Sequence, residues 1–149
     1  MSLQDWLRNG WLIEHQTSGQ EIADLLGVID RDLADCRTAG LSPDWQLSIA
    51  YNGAVQVAVA GLAAEGYRPA RESHHHRAIQ SLQYTLKVEP AVIVQLDAFR
   101  KKRNISDYER AGSTSQQEAG EIVRLAQRLR IDLEAWLRAE HPELLEAGA

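Results

Sequence analysis

Residues 43–65 constrain this fold more than any other stretch of the chain. Ile49, Ala50, Ala54, Val55, Val57, Ala58, Val59 and Leu62 lie almost all round a helical wheel, so a helix here has no wide polar face to offer water. It must be covered on most sides, which places it at the centre of a helical bundle. Ser42-Pro43 opens it, with a capping serine and a proline in the first turn, where the missing N–H costs nothing. Gly53 and Gly61 weaken such a helix by about 1 kcal/mol each relative to alanine and permit close approach of neighbours. Gly66 and Pro69 stop it, leaving residues 67–73 as a loop that carries Arg68 and Arg71.

The remaining periodicity supplies the cover. Ile22, Leu25, Leu26, Ile29, Leu33 and Cys36 define a helix with one apolar face, capped by Ser18 with Glu21 and ended by Gly40. Ile79, Leu82 and Leu86 predict a shorter helix over residues 74–86, and Glu89-Pro90 starts another that runs into a basic cluster. Ser115 with Glu118 forms a further capping box, and Ile122, Leu125, Ala126, Leu129, Leu133, Trp136 and Leu137 set out a long last helix that stops at Pro142. Leu3, Trp6, Leu7, Trp11 and Leu12 predict one more short helix. Strand-like alternation bounded by hairpin turns is absent, as are internal repeats. The expectation is an all-α fold: an antiparallel up-and-down helical bundle of four main helices plus short helices. It forms one domain across residues 1–149, with a helical arm at 1–16 and the core at about 18–140.

Composition narrows the function classes. A chain of 149 residues with 44% apolar content is expected to build one sizeable core. The net charge of −5 and pI near 5.5 argue against a wide nucleic-acid surface, which needs a basic excess, but leave room for a local one. The single cysteine, Cys36, excludes an intrachain disulfide and suits a reducing compartment. No run reaches the roughly 18–20 uninterrupted apolar residues of a membrane span, and the N-terminus is a poor signal peptide. A soluble, cytoplasmic protein is expected.

Common catalytic signatures are missing: no Walker loop, dinucleotide-binding glycine pattern, nucleophile elbow or paired zinc-ligand motif. His74-His75-His76 invites a metal reading, but adjacent helical residues project about 100° apart and cannot all face one ion. A helix start with one histidine packed into the bundle is the preferred reading, with no metal and no cofactor. Cys36, on an apolar stripe, reads as a buried small hydrophobe. Trp6, Trp11, Trp45 and Trp136 could form a ligand-stacking wall, although a core or a dimer interface accounts for them more simply.

The candidate site is the run from Phe99 to Glu109. With Pro90 opening the helix, Val92, Leu96, Phe99 and Arg103 share one stripe, so Arg103 continues the buried face. Arg100, Asn104 and Asp107 lie beside it, and Tyr108 comes next in the chain. One reading is a solvated helix end in which Arg103 and Asp107 pair, contributing about 0.2–0.5 kcal/mol. The other is an anion-facing site, because an arginine on a core stripe needs a carboxylate, phosphate or carbonyl partner.

Several short motifs carry a family resemblance. Tyr51-Asn52-Gly53-Ala54-Val55-Gln56, Ala63-Ala64-Glu65-Gly66-Tyr67-Arg68-Pro69, the histidines at 74–76 and Phe99-Arg100-Lys101-Lys102-Arg103-Asn104 through Tyr108 together resemble the HEPN superfamily of small helical bundles. The resemblance covers roughly residues 45–136. It implies a bundle that often dimerises and, in many members, a metal-independent ribonuclease of toxin–antitoxin or defence systems, with an arginine, a following polar residue and a histidine about a turn later. Arg103 and Asn104 match the first part, whereas Tyr108 stands where the histidine would be. Tyrosine, with a reference pKa near 10, is a poor acid–base substitute near neutral pH. With that departure, the resemblance implies a non-catalytic module binding a nucleotide, RNA or a partner protein such as a nucleotidyltransferase or antitoxin, through Arg100, Arg103, Asn104, Asp107 and Tyr108. The alternative is a dimeric ribonuclease in which Arg103, Asn104 and Tyr108, or a histidine from His74 to His76, do the chemistry.

Overall fold

The computed structural model describes residues 1–104 and 112–146. Among them lie six α-helices in chain order: α1 (Leu3–Arg8), α2 (Gly19–Asp35), α3 (Pro43–Ala64), α4 (His74–Ser81), α5 (Pro90–Asn104) and α6 (Gln116–Glu140), with a 3-10 turn at Pro142–Leu144. They form an all-α helical bundle.

Helix α3 is its axis. Ala50, Tyr51, Ala54, Val55, Val57, Ala58, Ala60 and Leu62 are all buried, with α2 and α6 packed most extensively against it and α4 and α5 covering the rest. By length and composition alone α3 could cross a membrane, yet most of it is buried inside the protein. Its small residues have a use at Gly61, where an added Cβ would meet Thr85 Oγ1 at 3.2 Å and Leu86 at 3.4 Å. The turn after α4 therefore packs directly on the α3 backbone. Asn52, on the side facing α2, donates from Nδ2 to the buried Asp32 carboxylate at 2.7 Å, which settles a charge that would otherwise be costly in the core.

The caps follow the sequence closely. Ser42 accepts from the Trp45 N–H, and Ser115 and Glu118 complete a reciprocal capping box. Ser18 accepts from the Glu21 N–H as expected, but the Glu21 carboxylate turns to His15 and Thr17, so this box is half made.

Three expectations are corrected. The arm at 1–16 is not wholly helical: α1 ends before Gly10, whose φ of +78° reverses the chain, and Leu12–Glu14 becomes strand β1. It pairs antiparallel with β2 (Tyr67–Pro69) in the register Leu12↔Pro69, Ile13↔Arg68 and Glu14↔Tyr67. Leu12 is buried there beside Trp6 and Leu62, a satellite of the main core that ties the arm to the end of α3. Helix α4 stops at Ser81 instead of running to residue 86. Ser81 Oγ donates to the Ala78 carbonyl at 2.6 Å and Thr85 Oγ1 to the Ser81 carbonyl at 3.4 Å, drawing side chains into a tighter turn that ends at Lys87, with φ of +56°. Helix α2 ends at Asp35, several residues before Gly40, with Cys36 as its cap residue. There Cys36 is fully buried, its thiol facing the Leu33 carbonyl at 3.4 Å, and burial pushes its pKa up. That is a packed, unreactive sulfur.

A basic groove between two helix ends as candidate functional site

The start of α4 and the end of α5 meet at one end of the bundle. Between them runs a groove of about 470 Å³ lined by Ser73, His74, His75, His76, Arg100 and Asn104. Ser73 turns the chain into α4 through a left-handed backbone (φ 55°, ψ 36°), costly for a non-glycine residue, and its carbonyl accepts from the Arg77 N–H at 2.9 Å. The three histidines then diverge as helical geometry requires. His74 is exposed, while His75 and His76 are half-buried and face different partners. No three His, Cys, Asp or Glu groups among the described residues are arranged to hold a metal.

His75 turns toward α3. Its Nδ1 lies 3.3 Å from the Tyr51 hydroxyl, and Tyr51 is completely buried. Burial pushes the phenol up to about 12, so it keeps its proton at any physiological pH, and Arg100 and Arg103 offset only part of that shift. Burial also lowers the His75 pKa, helped by the positive charges of Arg103, His74 and Arg100. The imidazole is therefore neutral near pH 7, and a protonated phenol can donate to its bare Nδ1, leaving the ring proton on Nε2.

His76 turns toward α5. Asp97 Oδ1 accepts from Arg100 Nε at 2.8 Å and from His76 Nδ1 at 3.3 Å, with Lys101 Nζ 3.4 Å from Oδ2. Burial alone would push the Asp97 carboxyl up, but the hydrogen bonds from Arg100, His76 and Lys101 outweigh it and hold the pKa at about 2. This carboxylate fixes Arg100 at the groove wall. Lys102 points away, to Glu118 at 2.6 Å, and joins α5 to α6.

Arg103 differs from both. It is half-buried, as its place on the α5 stripe predicts, with its guanidinium carbon 5.5 Å from the centroid of the Tyr51 ring. Among the described residues it has no carboxylate partner. A cation over an aromatic face keeps its N–H donors uncommitted. Among the described residues the cluster thus sets Arg100, Lys101 and Arg103 against the one carboxylate of Asp97, a local cationic excess on an acidic protein. Three basic residues in the last turn of α5 also complement its dipole, which accounts for Lys101 and Lys102 but not for a half-buried Arg103.

Of the residues singled out in the sequence, Arg100 and Asn104 line the groove, and Arg103 lies beside it over the ring of Tyr51, whose hydroxyl contacts His75 of the groove. Asp107 and Tyr108 lie outside the described residues. Sequence reasoning missed Tyr51 and Asp97 as parts of the site. The spacing of Asp97 to Arg100 and Lys101, at i+3 and i+4, was the available signal for one. The tryptophans do not form one wall: Trp6 is buried edge-on to Trp11 and Tyr84, Trp45 is 61% exposed and Trp136 contacts His141.

A larger hollow of about 550 Å³ lies by β1 and the end of α3, lined by Glu14, His15, Thr17, Glu65 and neighbours. It is acidic, and its His15 and Thr17 both donate to the neighbouring Glu21 at 2.7 Å while Glu65 faces His141 at 3.4 Å.

No known protein family matches this chain, and neither the curated proteins nor the solved structures give a match.

Proposed function

We propose that the chain is a HEPN-like, non-catalytic module that binds the phosphate groups of a nucleotide or RNA in the groove between α4 and α5. The observation that carries this reading is Arg103: a half-buried guanidinium held on an aromatic ring, without a carboxylate among the described residues. A desolvated positive charge needs an anion, and a phosphate accepts bidentate hydrogen bonds from a guanidinium. Arg100 is pinned by Asp97 with part of its fork still available, and Asn104 and the His74 and His75 rings add donors along the groove. The HEPN resemblance supports a nucleic-acid or nucleotide ligand, a homodimer, and a setting in a toxin–antitoxin or defence system with a nucleotidyltransferase or antitoxin as partner. A cytoplasmic location belongs to the same reading.

A second reading is favoured by one observation. Tyr108 removes the histidine expected in the sequence motif, but His75 supplies a neutral imidazole beside Arg100 and Arg103, hydrogen-bonded to a phenol that stays protonated. In the other tautomer, with Nδ1–H donating to the Tyr51 oxygen, its bare Nε2 could take the proton from an RNA 2′-hydroxyl, with the guanidinium groups stabilising charge on the phosphate, in a metal-independent ribonuclease. Incubating the pure protein with total RNA and EDTA, beside Arg103→Ala and His75→Ala, separates the two. Binding without cleavage is the expected result. Cleavage lost in both variants would replace the binding module with a ribonuclease.

A further inference from the structure

Behind the Ser73 corner lies a second, more enclosed cavity of about 270 Å³, lined by Trp11, Ala70, Arg71, Glu72, Ser73 and Arg77 among others. It shares Ser73 with the α4–α5 groove, so the two hollows adjoin on either side of the left-handed turn. Arg77 projects from α4 onto the Trp11 ring, its guanidinium carbon 3.7 Å from the centroid and 5.6 Å from that of Trp6. Trp6, only 3% exposed, packs edge-on against Trp11 and Tyr84, and the Ala70 N–H donates to the Trp11 carbonyl at 2.9 Å. The platform under Arg77 is thus held by core packing on one side and by a backbone hydrogen bond on the other.

Stacking fixes the Arg77 plane without using its N–H donors. Among the described residues neither Arg77 nor Arg71 has a carboxylate partner, and Glu72, which lines the same cavity, pairs with neither. An arginine placed only to staple the arm would be expected to take that neighbouring carboxylate. Here two guanidinium groups, unmatched among the described residues, border a small, partly enclosed space on a protein whose net charge is −5.

We infer that this cavity is a second phosphate subsite, so that the ligand is a single-stranded RNA whose chain crosses the Ser73 corner with one phosphate in the groove and another against Arg71 and Arg77. The inference rests on the phosphate-binding reading of the groove and names its substrate class: a strand reaches both hollows, whereas a mononucleotide is served by one. Single-strand binding by unpaired arginines carries a salt signature, because each phosphate neutralised adds about 0.7 to the slope of log affinity against log salt.

The test is fluorescence anisotropy of labelled octauridylate across a salt series, with ADP as the mononucleotide. Arg71→Ala, an exposed loop substitution, should weaken octauridylate about 3- to 10-fold and flatten the salt slope by about 0.7, leaving ADP binding unchanged. Arg77→Gln should weaken it at least as much. Glu72→Gln, which removes the competing negative charge without touching the core, should tighten octauridylate. Unchanged affinity and slope in Arg71→Ala and Glu72→Gln, with binding still lost in Arg103→Ala, would overturn the second subsite and leave the groove reading standing. ADP binding as tight as octauridylate would overturn the choice of a strand as ligand. Absence of octauridylate and ADP binding by the wild type would remove the groove reading and this inference together.

Discussion

Arg130 and Arg103 are both largely withdrawn from water, yet the fold treats them in opposite ways. Arg130, on α6, has a side chain 18% exposed; it donates to Asp30 at 2.8 Å and to Glu134 at 3.0 Å. It bridges α2 to α6, and its charge is matched within the chain. Arg103, on α5, rests on the Tyr51 ring with no carboxylate among the described residues. When an arginine serves the architecture, this protein supplies acids for it. Arg103 has no such acid among the described residues, and under the proposed function its charge is kept for the ligand. Asp97 sharpens the contrast, because it neutralises Arg100 a few residues away while Arg103 has no match among the described residues.

This contrast predicts a double dissociation, and the largest effect belongs to Arg103. Arg103→Ala should weaken octauridylate tenfold or more, about 1.4 kcal/mol, when titrated by anisotropy. Its stability should change by no more than about 1 kcal/mol, the scale of an aromatic–cation contact. Arg130→Ala should do the reverse, costing about 1 kcal/mol and a few degrees of melting temperature while leaving RNA affinity intact. The cost stays modest because Asp30 and Glu134 have side chains 56% and 40% exposed and remain hydrated once the arginine is gone.

Asp97 offers a pH-based test of the matched half of the cluster. Its carboxyl ionises at about 2 in the fold against an ordinary 3.8, so the unfolded chain binds the proton more readily. The resulting stability is fully present above the ordinary value and disappears as pH falls from 3.8 toward 2. Acid titration of the melting temperature should show that loss in the wild type and lose that component in Asp97→Asn. The smallest effect is at His75. Burial is the main reason its pKa is low, and Arg103 adds to it, so Arg103→Ala should move the imidazole titration upward toward its ordinary value without reaching it. An NMR pH titration of the ring protons reads this directly, and an unmoved His75 would mean that the guanidinium does not bear on the groove. Because the folded pKa is the lower one, His75 stabilises the fold above its unfolded value and that contribution is lost as pH drops below it.

Much of the architecture was legible because it rests on local signals. The all-round apolar character of α3 placed it in the centre, and Ser42-Pro43 and Ser115 with Glu118 marked helix starts through bonds that span three residues. The sheet was not legible, since each strand is three residues long and its partner lies beyond α2 and α3, too far for any hairpin signal. The early end of α4 depends on Ser81 and Thr85 choosing backbone carbonyls, a choice that periodicity does not report. In the site, Arg100, Arg103 and Asn104 were found by their spacing on one helix. The Tyr51 to His75 contact joins residues 24 apart through packing alone. Glu72's failure to pair with Arg71 or Arg77 is likewise a property of the folded chain, invisible to spacing.

The most direct test of the central claim is octauridylate binding by anisotropy for wild type, Arg103→Ala and Arg130→Ala side by side, each checked for folding by its melting curve. A phosphate-binding groove predicts tight binding by wild type and Arg130→Ala and a loss of tenfold or more in a well-folded Arg103→Ala. Equal affinity in all three proteins, or none in the wild type, would contradict it.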